Sequence, residues 1–213
     1  MNTEPLIIAI TGGIGAGKSA LSACFAEMGY PIIITDLLAK NILATDTDIQ
    51  QRIISEFGSD AFVDGKYNTE FIASKVFPDA ERLQKLNQIL HPAVIDAMIE
   101  QVETLQDSEQ HSIIFVESAL IFELELEDGF DYVISVSASE QVRIKRIAER
   151  SGLSKDEIKQ RMSSQLSQEE KNRMADFVVQ NETTLLELAS AAEYLLPILQ
   201  SLPNRVEQKK EDE

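Results

Sequence analysis

The stretch Ile10-Thr11-Gly12-Gly13-Ile14-Gly15-Ala16-Gly17-Lys18-Ser19 decides the fold. Residues 12–19 fit G-x-x-x-x-G-K-[ST], directly after an apolar run (Leu6 to Thr11) and directly before an apolar helical pattern (Lys18 to Met28). Glycines let such a loop wrap its backbone N–H groups around phosphate oxygens at close range, where side chains would collide and some φ values are positive. A helix opening at Lys18 points its positive end at the anion. Lys18 brings a mobile charge to the β- and γ-phosphates of a nucleotide, and the Ser19 hydroxyl is placed to ligate the Mg²⁺ that bridges them. The expected ATP-binding set is therefore Gly13, Ile14, Gly15, Ala16, Gly17, Lys18, Ser19 and Ala20, with Ser19 as the metal ligand.

Outward from the loop, short apolar runs alternate with longer helical ones, the pattern of a parallel sheet covered on both faces. Strands are expected at Leu6–Thr11, Ile32–Thr35, Ile113–Glu117, Tyr132–Val136 and Phe177–Val179. Helices are expected at Lys18–Met28, Leu37–Leu43, Asp48–Phe57, Ala80–Leu90, Ala93–Leu105, Glu140–Arg150, Lys155–Ser167 and Thr184–Leu199. About 75 residues separate the second strand from the third, far more than an ordinary crossover, so that segment must carry helices of its own. Phe57-Gly58 reads as a helix stop and Asp64-Gly65 as a turn. The expectation is a three-layer α/β/α P-loop NTPase fold with a five-stranded parallel sheet, as a single domain over residues 1–205. Its core would be residues 5–36, 112–137 and 175–201, with a helical acceptor-binding cap at about 37–111, an arginine-rich lid at about 140–172, and a disordered acidic tail at 206–213.

Composition narrows the partners. The 213 residues carry 19 Lys and Arg against 36 Asp and Glu, a net charge of −17. That balance excludes a general phosphate-backbone binder, so no nucleic-acid partner is expected. No apolar run reaches the roughly 20 residues of a membrane span and the N-terminus lacks a basic signal region, so the expected location is the cytoplasm, with no membrane partner. A monomer is favoured. The single cysteine, Cys24, lies in the helical pattern Leu21, Cys24, Phe25, Met28 and reads as a structural thiol in preference to a catalytic one. Arg143 to Arg173 holds nine basic residues against five acidic ones, net +4 within a strongly acidic chain.

No guanine-reading Asn-Lys-x-Asp occurs, which disfavours a switch GTPase, and the late arginines suit a small kinase with a closing lid. Arg143, Arg146 and Arg150 recur at helical spacing, as a clamp for triphosphate charge or as a solvated face. Asp36, just past the second strand, stands where a group accepting the acceptor's proton belongs, or else caps the following helix. Glu117 ends the third strand as a Walker-B-like acid able to hold Mg²⁺ through water, or as a capping or solvent-facing carboxylate.

With those residues in place, the sequence resembles dephospho-CoA kinases over roughly Ile7 to Ala189. The resemblance rests on the loop from Ile10, the segment Gly29 to Asp36, Phe57-Gly58, Asp64-Gly65, Val76-Phe77, Ile89-Leu90-His91-Pro92 and Ser118 to Glu123. Arg146, Arg150, Gln165, Lys171, Ala175-Asp176 and Asn181 complete it in order. It implies Mg·ATP as donor and dephospho-CoA as acceptor, its ribose 3′-hydroxyl phosphorylated in the last step of coenzyme A biosynthesis. It also implies Asp36 as base, Lys18, Arg146 and Arg150 as catalytic charges, and Asn181 near the adenine. His91 and Glu117 join Asp36 on the substrate-binding side, although Pro92 equally reads as the opening residue of a helix with His91 flanking it. Ile34 occupies the first acidic position of the family's Asp-x-Asp, leaving only Asp36; Thr69 and Ala119 stand where arginine and proline are usual, and Ala20 follows Ser19 in place of threonine. Two other readings stay open: another small-molecule or nucleoside kinase, and a nucleotide-binding regulator without turnover.

Overall fold

The computed structural model describes residues 4–108 and 110–205. The tail at 206–213 lies outside the described residues. The chain opens with β1 (Leu6–Thr11), α1 (Lys18–Glu27) and β2 (Ile32–Ile34). There follow α2 (Thr35–Thr45), α3 (Thr47–Phe57), the strands β3 (Phe62–Val63) and β4 (Lys66–Tyr67), α4 (Thr69–Val76) and α5 (Ala80–Asp107). Next come β5 (Ile113–Glu117), β6 (Tyr132–Ser137), α6 (Glu140–Ser151), α7 (Lys155–Ser163) and α8 (Gln168–Met174). β7 (Phe177–Gln180) and α9 (Leu185–Gln200) complete it. Two compact units emerge, Met1–Ile33 with Val102–Glu213 and Ile34–Gln101, so far as these residues are described.

The first unit is built on a five-stranded parallel sheet in the order β2-β5-β1-β6-β7. β1 lies between β5 and β6, with Ile10 beside Glu117 and Thr11 beside Ser135. Ile8, Ile10, Phe115, Ile134 and Val136 pack on one face with Leu21 and Phe25 of α1 and Leu188 and Leu199 of α9. Phe25 stacks on Phe115 at a centroid distance of 4.2 Å. Ala9, Ile114 and Val116 are buried too, which is why the strands read as unbroken apolar runs and not as alternating ones. Each such buried Ile or Phe contributes about 1.5–3 kcal/mol.

Two carboxylates close this sheet at its lower edge. Asp131 accepts from Ile7 N–H at 2.7 Å, and Asp176 accepts from Val133 N–H at 2.9 Å. The end of the described chain fastens to the same pair: Arg205 N–H donates to Asp131 at 2.6 Å and its guanidinium meets Asp176 at 2.7 Å while lying over the Tyr132 ring. Tyr132 also donates its hydroxyl to Pro203 O.

The second unit gathers Ile42, Ile49, Ile53, Phe57, Ile72, Val76, Leu86 and Ile89 into its own core. Asp46 caps α3 by accepting from Asp48 N–H and Ile49 N–H. Asp64-Gly65 is a turn, and a specific one. With φ of 50° and 72° the two residues form the two-residue loop of a β3–β4 hairpin, whose twist needs left-handed backbone at both positions.

Three expectations are corrected. Helix α5 runs unbroken through Pro92, which therefore does not open a helix. Leu86, Ile89 and Leu90 before it and Ala93, Val94 and Ala97 after it all pack on one core. Burial at about 1.5–3 kcal/mol per large side chain offsets the roughly 3 kcal/mol a mid-helix proline costs. The helix expected over Lys155–Ser167 stops at Ser163, and Ser167 instead caps a separate helix, α8, with a capping box to Glu170. Helix α2 starts at Thr35, so Asp36 sits in its first turn and does not cap it.

Candidate active site

The loop between β1 and α1 adopts the conformation its glycines allow. Gly12, Gly15 and Gly17 have φ of 142°, 81° and 103°, a region costly to any residue with a Cβ. Space is equally restrictive: a Cβ on Gly12 would lie 2.3 Å from Val136 O, and one on Gly17 would lie 2.0 Å from Asn181 Nδ2. Helix α1 has no side-chain cap and no acidic residue in its first turn. With no carboxylate of its own at that end, the positive pole of the helix is available to an outside anion.

Lys18 and Ser19 stand at that helix start. Lys18 Nζ donates to Gly12 O at 3.0 Å, folded over the loop it would leave to follow a phosphate. Ser19 Oγ donates to Glu117 Oε1 at 2.6 Å. Glu117, only 5% exposed at the tip of β5, is thus neither a helix cap nor a solvent-facing carboxylate. A hydroxyl and a buried carboxylate side by side at a helix N-terminus are a hard-oxygen donor set, and they fit Mg²⁺.

The three arginines of α6 diverge. Arg143 is 6% exposed and donates from Nε to Ile14 O at 2.9 Å, its guanidinium filling the space a side chain at Gly13 would need. Burial pushes its pKa down from the ordinary range, although arginine stays a cation at any working pH. It braces the loop from behind. Arg146 reaches Ala16 O at 3.5 Å and Asn181 Oδ1 at 3.3 Å, while Arg150 is exposed in the last turn. The three guanidiniums of the expected face are therefore not gathered at one point in this structure. Asn181, 5% exposed, donates to Ala16 O at 2.8 Å and packs edge-on against Gly17.

Two glutamines complete the loop's supports: Gln165, which had a place in the resemblance but no role, and Gln168, which the sequence did not single out. Gln165 Oε1 accepts from Ile14 N–H at 3.0 Å and Gln168 Oε1 from Gly13 N–H at 3.1 Å. Lys171, on α8 with Gln168, is fully buried and donates to Ala119 O and Glu123 at 2.6 and 2.9 Å. Burial pushes its pKa down while Glu123 pushes it back up, burial being the larger effect. The signal that would have isolated α8 was the Ser167-x-x-Glu170 box, which reads as a helix start.

The structure brings together Gly12 to Ala20, Glu117, Arg143, Arg146 and Asn181 in the first unit. Asp36 and His91 belong to the second. Asp36 is exposed in the first turn of α2; His91 is half-buried midway along α5, its pKa lowered by burial. Cys24 donates its thiol to Ala20 O and packs against the main core, with its pKa raised chiefly by burial. Among the described residues no helix is long and apolar enough to cross a membrane.

A parallel sheet with this strand order, a glycine loop bent around a helix N-terminus, and a lysine and a serine at its mouth define a P-loop kinase fold. Comparison with known proteins resolves the class further. The dephospho-CoA kinase family model matches residues 6–187. A dephospho-CoA kinase of Salinibacter ruber is 36% identical over 85% of this chain and 91% of its own length. Among solved structures, TT1252 from Thermus thermophilus superposes with a TM-score of 0.76 at 33% identity, covering 92% of this chain and 99% of that one. The dephospho-CoA kinase from Campylobacter jejuni gives 0.67 at 26% identity over 91% and 96%. The chain belongs to the dephospho-CoA kinase family.

Proposed function

We propose that this chain transfers the γ-phosphoryl group of ATP to the ribose 3′-hydroxyl of dephospho-CoA, the last step of coenzyme A biosynthesis, and does so in the cytoplasm. The observation that carries this reading is the phosphate loop with its Ser19–Glu117 pair in a chain of this family. The bond formed is O3′–P, the bond broken is P–O to the β-phosphate, and ADP leaves with the electron pair. Bound Mg²⁺ would neutralise charge across the β- and γ-oxygens, with Ser19 as its protein ligand and Glu117 nearby. The loop from Gly13 to Ala20 wraps the phosphates, the amides beyond Gly13 and Ile14 facing them, and Lys18 moves from Gly12 O to the bridging region. Arg146 and Arg150, in a lid of about residues 140–172, meet the charge that spreads over the transferred group.

Asp36 takes the proton of the 3′-hydroxyl. The segment of about residues 37–111, most of it in the second unit, serves as an acceptor cap in which His91 lies. Asn181 serves the adenine side of the site through the loop segment it supports, Ala16 and Gly17.

Purified protein supplied with Mg·ATP and dephospho-CoA should yield ADP and coenzyme A, at a rate well above that with nucleosides, shikimate or gluconate. Turnover on one of those alcohols in place of dephospho-CoA would reassign the substrate. Asp36→Ala should lower kcat by about 10²–10⁴, the usual range for a lost acid–base group, with nucleotide affinity retained. Unchanged kcat in that variant would remove Asp36 from the chemistry.

A further inference from the structure

Helix α8 turns an unusual face inward. At spacing i, i+3, i+4 an amphipathic helix ordinarily presents apolar side chains to its core, and α8 presents Gln168, Lys171 and Asn172. Gln168 is 7% exposed and Lys171 0%. Each goes to a different neighbour. Lys171 holds Ala119 O and Glu123 after β5; Asn172 donates to Ser137 Oγ at 3.0 Å and accepts from Ser135 Oγ at 2.8 Å on β6. Gln168 goes to the phosphate loop.

The amide of Gln168 can point only one way. Its Nε2 faces three oxygens, Val136 O at 3.2 Å, Ser135 Oγ at 3.2 Å and Asn172 Oδ1 at 2.9 Å, and so its Oε1 must face Gly13 N–H at 3.1 Å. Rotating the amide by half a turn would set two pairs of acceptors against each other in a buried place. The orientation of Gln168 is thus dictated by β6 and Asn172, and through it the direction of the Gly12–Gly13 peptide.

That peptide needs dictation. Two successive glycines have the widest backbone freedom of any dipeptide, and Gly13 carries no side chain to pack. Its amide and the next, Ile14 N–H, are the two that glutamines hold ahead of the amides that would face a phosphate. We infer that Gln168 is a positioning residue for nucleotide binding: acting through Gly13, without contact to substrate, it holds the loop in its phosphate-receiving shape before ATP arrives. This inference rests on the phosphate-loop reading of the site and concerns one residue that supports it.

Preorganisation of a loop stabilises the bound nucleotide in ground and transition states alike, which marks the effect as one on KM. Gln168→Met keeps the length and removes the amide. The KM for Mg·ATP, and its Kd by calorimetry, should rise about tenfold, the worth of one well-made buried hydrogen bond. Both kcat and the KM for dephospho-CoA should stay within about twofold. Asn172→Ala leaves Gln168 in place and frees its amide to turn, so it should raise the same KM by a smaller factor and carries the test if Gln168→Met does not fold. In the double variant the two effects should fall short of additive. An unchanged KM for ATP in the folded variants, or a fall in kcat with KM constant, would overturn the inference. Lys18→Ala serves as the separate check on the loop itself: if it leaves Mg·ATP affinity intact, the phosphate-loop reading fails and not the role of Gln168.

Discussion

Replacing Gly17 by alanine puts the geometry of the phosphate loop to a quantitative test. Two costs add at this position. The backbone sits at φ 103°, where an L side chain is strained by about 1–3 kcal/mol. The new Cβ would also lie 2.0 Å from Asn181 Nδ2, so Asn181 must swing away and give up its 2.8 Å bond to Ala16 O. Losing that buried bond, with only the longer Arg146 contact left on Ala16 O, costs about 1–3 kcal/mol more, which puts Gly17→Ala at about 2–6 kcal/mol in urea unfolding of the nucleotide-free protein. In an Asn181→Ala background the obstacle and the bond are already gone, so the same glycine substitution should cost only the backbone strain. The two changes should therefore couple by about 1–3 kcal/mol in a double-mutant cycle. Additivity within about 0.5 kcal/mol would refute the claim that Asn181 and Gly17 form one packed unit.

Lys171→Met leaves the partly buried Glu123 carboxylate without its cation and should destabilise the protein by up to about 3 kcal/mol in chemical denaturation, whereas pairing it with Glu123→Leu should recover much of that loss. For His91, burial lowers the folded-state pKa below the ordinary 6.5, so the unfolded chain binds the extra proton first as pH falls. Stability should drop as pH decreases below about 6.5, and His91→Gln should flatten that part of a melting-temperature-against-pH curve while leaving values above pH 7 unchanged.

The sheet was legible because both of its faces are covered. Strands such as Ile113–Glu117 then show as continuous apolar runs between glycine- and polar-rich breaks, and the loop motif fixes which of them comes first. Helix limits were harder. Pro92 looked like a boundary because local rules see only the missing N–H; the shared core of Leu86, Ile89, Val94 and Ala97 that carries the helix through is a tertiary fact. Helix α4 and the hairpin before it were not anticipated as elements, since strands of two residues have no period to read. At the site, the residues that touch phosphate in such loops were evident from spacing. Those that hold the loop were not. A buried arginine such as Arg143 looks on a helical wheel like its exposed neighbours, and nothing local ties Gln165 to Ile14 or Gln168 to Gly13, about 150 positions earlier in the chain.

The fastening at Pro203 and Arg205 has a practical bearing on where this polypeptide tolerates a cut. A stop codon placed before residue 203 would remove in one stroke the carbonyl that Tyr132 uses, the amide on Asp131 and the guanidinium shared by Asp176 and the Tyr132 ring. Two carboxylates that cap strand ends would then depend on water for the remainder of their bonds. Fusion partners and affinity tags appended beyond residue 205 leave this knot tied, and shortening the protein by a further three residues unties it.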